Sequence, residues 1–176
     1  MIDWDFISTL EGHRLSGYVP DECGSDSGVT IADGVDLGRL GSATFDTLPI
    51  DLQALLRPYV GLRKADAAAA LTARALIVTE AQADTLDAAV RAPIVLSLSA
   101  RYFADAKTPF EELPARAQTV IASVTFQYGT PWQRCPKFWD CVAKLDWPGT
   151  VYELRNFGDA YPMRRNAEAD YLETLI

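Results

Sequence analysis

The segment from Tyr18 to Leu40 constrains the fold most, because a stretch so rich in Gly, Ser and Asp cannot sustain a helix while helical patterns flank it on both sides. It contains the β-prone pieces Gly17-Tyr18-Val19 and Val29-Thr30-Ile31, with Pro20 and Gly24 as turn residues and Asp33-Gly34 marking a further turn. A small antiparallel hairpin region is therefore expected here. Ahead of it, Ile2, Phe6, Ile7 and Leu10 recur at helical spacing. That pattern predicts a helix over roughly 3–12 with one apolar face and Glu11 at its C-terminal edge.

Beyond Leu40 the patterns are helical. Ala43 to Leu48 forms a short turn, Ile50 to Tyr59 is amphipathic, and Lys64 to Ile77 is rich in alanine. Thr79-Glu80-Ala81-Gln82 has the form of a capping box. Pro93 is expected to start, kink or break the next helical stretch. Pro114 suits the first turn of a helix that Gly129 ends, and Pro162 opens a final helix. Shorter helices are expected over 138–145 and 151–156. The expected fold is α+β, a single domain over 1–176: an N-terminal helix and small antiparallel β lobe (1–60), then a mostly helical lobe (61–176).

Hydrophobic residues make up 49% and charged residues 23%, which suits a globular domain able to bury its own core. The formal charge of −8 disfavours nucleic acid as a partner, since phosphate neutralisation needs clustered Lys and Arg. The apolar run Ile94 to Leu98 is far too short for a membrane span. Met1-Ile2-Asp3-Trp4-Asp5 lacks the basic and apolar regions of a signal peptide, so no cleaved leader is expected. With one histidine and three cysteines, two of them Cys135 and Cys141, the chain offers no zinc-binding pattern. A Cys135–Cys141 disulfide is the less favoured reading, because those positions point to different faces of a continuous helix. No metal or cofactor is expected.

A carboxyl at a helix C-terminus meets partial negative charge, which favours its protonated form, as a general acid requires. Glu11 stands at such a place. Thr30 and Asp36 are six apart across the Asp33-Gly34 turn. They share strand parity, but a turn breaks the inference that they face one side. Asp36 also suits a plain turn cap, and Asp21, Asp26 and Asp33 crowd the same segment, so chemistry alone leaves the second carboxylate open.

The strings Leu10-Glu11-Gly12, Gly17-Tyr18 and Gly28-Val29-Thr30-Ile31-x-x-Gly34 resemble the core of T-even phage lysozymes. The longer string from Ser27 to Gly38 is more similar to the lysozyme-like toxin domain of the pesticin type. Phe126-Gln127-Tyr128-Gly129, Asp146-Trp147 and Arg164-Arg165 with Glu168 extend the resemblance over nearly the whole chain. It implies a lysozyme-like fold with a glycan cleft and hydrolysis of the β-1,4 bond between N-acetylmuramic acid and N-acetylglucosamine. By position, Glu11 becomes the general acid, Thr30 the water-positioning hydroxyl and Asp36 the second carboxylate, with Gln127 and Tyr18 binding substrate. The phage pattern instead places the second carboxylate before the threonine, at Asp26 or Asp21.

Ala32 replaces a glycine of the phage motif and that motif's histidine is missing, which favours the toxin branch. So does the acidic charge, which suits an enzyme delivered close to the wall. A monomeric antibacterial toxin or effector, or a phage-type lytic enzyme, acting on peptidoglycan is expected, the toxin restrained by a cognate immunity protein. A lytic transglycosylase and a catalytically silent glycan-binding or inhibitory protein remain alternatives. For Arg164 and Arg165 pairing with nearby acids is expected, and for Trp132, Trp139 and Trp147 a place in the core or at its rim.

Overall fold

The computed structural model describes residues 1–20 and 26–175. The chain divides into two compact units, Glu11–Pro93 and Met1–Leu10 with Ile94–Ile176. The fold class is α+β, as the sequence predicts: a three-stranded antiparallel sheet lies near the N-terminus and the remainder is mostly helical.

Helix α1 (Trp4–Glu11) ends where expected. Gly12 follows at φ 82°, the left-handed conformation that terminates helices and suits glycine. Strand β1 (His13–Tyr18) starts four residues earlier than the predicted β-prone piece and pairs with β2 (Thr30–Asp33), which pairs in turn with β3 (Val35–Asp36). The β2–β3 turn holds Gly34 at φ 75°, and Ala32 sits at φ 54°. A left-handed backbone favours glycine, which explains why a glycine fits this position in the phage motif.

The sheet unit continues through α2 (Ser42–Phe45), α3 (Ile50–Leu56) and α4 (Lys64–Ala73). The alanine-rich helix stops short of the predicted Ile77. Leu76 and Val78 are buried while Ile77 between them is exposed, a period of two that extended chain satisfies and a helix does not. The extended piece lies along β1, with Gly17 N–H donating to Leu76 O at 2.9 Å and Val78 N–H to Leu15 O at 2.9 Å. The core of this unit gathers Ile31, Leu37, Leu52, Leu56, Tyr59 and Leu86.

The capping box forms: Gln82 N–H donates to Thr79 Oγ1 at 3.3 Å and Thr79 N–H to Gln82 Oε1 at 3.0 Å. It opens α5 (Glu80–Ala106), which runs through Pro93 without ending there.

In the second unit, α6 (Ala115–Tyr128) is buried over nine successive residues, 117–125, and Gly129 closes it at φ 75°. Its buried hydroxyls are all satisfied: Thr119 and Thr125 donate one turn back, to Ala115 O at 2.8 Å and Ile121 O at 2.7 Å, and Ser123 Oγ donates to Glu168 Oε1 at 2.6 Å. Helices α7 (Pro131–Arg134), α8 (Pro136–Ala143), α9 (Trp147–Arg155) and α10 (Pro162–Glu173) complete the unit. Trp139 is buried, and Trp132 and Trp147 pack half-buried against the same core. Cys135 and Cys141 are both free thiols. Arg165 and Glu168 form a buried ion pair at 2.5 Å, and Arg164 approaches Glu168 at 3.1 Å. Both arginines thus pair with acids, as expected.

Candidate active site

The sheet register brings three of the sequence-predicted residues together. Thr30 is the ladder partner of Tyr18 on one side and of Asp36 on the other, so the three form a row across the sheet. Directly paired residues of antiparallel strands project to the same face. The turn between Thr30 and Asp36 is tight enough to leave them opposed.

Thr30 is buried, and its hydroxyl points at Gly28 O at 3.5 Å, the long limit of hydrogen bonding. Asp36 Oδ1 accepts from Gly28 N–H and Gly38 N–H, both at 2.9 Å, while Oδ2 lies 3.4 Å from Arg39 Nε. The expected turn-capping role is therefore real. It locks one oxygen and sets the direction of the other. The glycines are required: a Cβ on Gly28 would stand 2.4 Å from Leu62 O and 2.6 Å from Gly38 Cα.

Glu11 is half-buried, and its carboxylate lies over the hairpin turn, where a Cβ on Gly34 would sit 3.7 Å from Glu11 Oε2. Tyr18 is half-buried with the Arg14 guanidinium 4.2 Å from its ring centroid. Asp26 is exposed and engaged by Arg63 at 2.9 Å and Lys64 at 3.4 Å. The hydrogen bond from Lys64 is the main cause that holds its carboxyl below the usual range. Asp21 lies outside the described residues. Gln127, on α6 of the other unit, accepts a hydrogen bond from the Arg165 guanidinium.

A polar cluster that sequence reasoning missed adjoins the hairpin. His13 Nδ1 lies 2.7 Å from Asp33 Oδ1 and His13 Nε2 lies 2.9 Å from Glu80 Oε2. Arg91 bonds Asp33 Oδ2, and Asp33 N–H donates to Asp87 Oδ1 at 3.2 Å. Burial, then the neighbouring Asp33 charge, push Asp87 up to about 6. The Asp33 hydrogen bond raises His13 above its ordinary value, opposed by desolvation and helped by Glu80. His13, Asp33 and Asp87 offer three donor atoms within 4.8 Å of one another, but the Arg91 guanidinium already balances their charge. The signals that could have found the cluster are the lone histidine and the Asp87–Arg91 spacing of one helical turn.

Among the described residues no helix is long and apolar enough to cross a membrane. A comparison with curated proteins gives no match. The family described as "Pesticin: Bacterial toxin homologue of phage lysozyme, C-term" matches residues 1–148. The helix carrying Glu11, the hairpin carrying Thr30 and Asp36, and α6 all lie within that match, and the chain belongs to this family of lysozyme-like bacterial toxin domains.

Proposed function

We propose that the chain is a muramidase that hydrolyses the β-1,4 bond between N-acetylmuramic acid and N-acetylglucosamine in peptidoglycan. The observation that carries this reading is the opposition of Thr30 and Asp36 beneath a turn covered by the Glu11 carboxylate. Glu11 acts as general acid and protonates the glycosidic oxygen. The Thr30 proton is directed at Gly28 O, which leaves the hydroxyl's lone pairs to accept from a water. Asp36 takes that water's proton through Oδ2, while Oδ1 stays held by two backbone N–H groups.

Attack by water on the face opposite the leaving group inverts the anomeric centre, a geometry that needs the two carboxyls about 6.5–9.5 Å apart. Asp36 is preferred to Asp26 as the base because Arg63 and Lys64 both pair with the exposed Asp26 carboxylate, at 2.9 and 3.4 Å, whereas Asp36 Oδ2 meets the Arg39 guanidinium at 3.4 Å. Tyr18, in the same row as Thr30, would bind the sugar. Membership of a toxin family supports delivery or export to the wall; we propose that the protein acts there as a monomer neutralised by a cognate immunity protein.

The test is clearing of purified peptidoglycan by the wild type and by Glu11→Gln, with mass spectrometry of the products. Cleavage to new reducing ends by the wild type alone supports the reading. 1,6-Anhydro ends would instead mark a transglycosylase, and sedimentation with walls without cleavage a glycan-binding protein.

A further inference from the structure

The His13 imidazole has a carboxylate oxygen at each nitrogen, Asp33 at 2.7 Å and Glu80 at 2.9 Å. A neutral imidazole carries one N–H and would turn a lone pair towards the other carboxylate. Only the imidazolium donates to both. The ring therefore closes a circuit of contacts around Glu11. Glu11 ends α1, Gly12 turns the chain at φ 82°, and His13 opens β1 as the ladder partner of Asp33. Asp33 precedes Gly34, over which the Glu11 carboxylate lies. The far side of Asp33 is fixed by Arg91 and by the bond from its N–H to Asp87.

We propose that His13, held as an imidazolium between Asp33 and Glu80, is the positioning residue that sets the Glu11 carboxyl over the β2–β3 turn. Its kinetic consequence rests on the muramidase reading of Glu11. The groups facing the ring are Asp33 from β2 and Glu80 from α5, with Asp87 and Arg91 behind Asp33 and Glu11 two residues upstream. When the proton leaves, the bond to one carboxylate becomes a repulsion and the tie between the exit of α1 and the turn weakens. Protonation of Asp87 at lower pH does not remove the proton on His13, so the loss of that proton is read on the alkaline side.

As the chain's one histidine, His13 can be followed without assignment ambiguity by long-range proton–nitrogen NMR. The experiment compares that titration with the pH profile of turnover on soluble peptidoglycan fragments, for the wild type and for Glu80→Gln. Glu80 is mostly exposed, so this variant leaves the core alone. The expected result is an alkaline limb in kcat falling about tenfold per pH unit. It should coincide with the His13 titration, and in Glu80→Gln both should move to lower pH together. Turnover that stays flat while His13 titrates would overturn the proposal, as would a variant whose NMR titration moves and whose limb does not. If the wild type cleaves no glycan at any pH, the muramidase reading falls separately. The positioning claim is then decided by the Glu11 side-chain carboxyl carbon and the Gly34 amide. Resonances that respond at the His13 titration point support it; resonances that do not respond overturn it.

Discussion

Thr30 and Asp36 are direct partners across the β2–β3 hairpin, and the Asp36 carboxylate reaches back from there to hold the backbone on both sides of it. One residue thus builds the loop and stands opposite Thr30 in the sheet. The anchoring supports a catalytic assignment, because a carboxylate that swings freely makes a poor base.

The two roles of Asp36 can be separated. Asparagine keeps an oxygen for the Gly28 and Gly38 amides but cannot take a proton from water. Asp36→Asn should fold with nearly unchanged stability and lose wall cleavage by about 10²–10⁴-fold. Asp36→Ala also strips both amides of their acceptor, which should cost on the order of 3 kcal/mol. Denaturant midpoints alongside turbidity rates measure both. Full cleavage by Asp36→Asn would reduce the residue to a loop anchor.

Gly28 tests the loop from the other side. An added Cβ meets Leu62 O at 2.4 Å and the Gly38 backbone at 2.6 Å, contacts made by main chain that no rotamer change relieves. Gly28→Ala should therefore destabilise the sheet unit by about 1–3 kcal/mol or more. It should also weaken cleavage by displacing the amide that fixes Asp36 Oδ1. Gly41, where an added Cβ meets nothing within 4 Å, supplies the control: Gly41→Ala should change neither stability nor rate appreciably. Thermal melts of the two variants give the comparison.

The elements legible in the sequence were those whose signals are local. The capping box at Thr79 and Gln82, the terminator Gly129 and the apolar spacing of α1 are each fixed by neighbours along the chain. The extended piece at 76–78 was not legible, because the alanine run before it favours helix and only pairing with β1 makes the alternation of Leu76, Ile77 and Val78 decisive. Thr30 and Asp36 could be nominated by spacing and resemblance. Their direct opposition depends on where the hairpin turns, and Ala32 reaches its left-handed conformation without a glycine to announce it. The cluster of His13, Asp33, Asp87 and Arg91 draws on three elements, so no window of sequence contains it.

Asp87 makes the stability of the protein depend on pH in a direction opposite to that of most carboxylates. Its carboxyl is buried, and burial together with the adjacent Asp33 charge moves it from 3.8 to about 6. Between those two values the unfolded chain has released the proton while the folded protein keeps it. The folded state thus binds more protons, and stability falls as pH rises through that window. A shift of this size corresponds to roughly 3 kcal/mol, present below about pH 4 and lost by about pH 7. Asparagine cannot titrate, yet it retains an oxygen to accept the Asp33 N–H. The difference in unfolding free energy between Asp87→Asn and the wild type should therefore move in the variant's favour, by up to about 3 kcal/mol, from pH 4 to pH 7. Urea unfolding of both proteins at each pH measures it. A difference that stays constant across the window would mean that Asp87 is already ionised in the folded protein at low pH, held so by Arg91 at 3.8 Å.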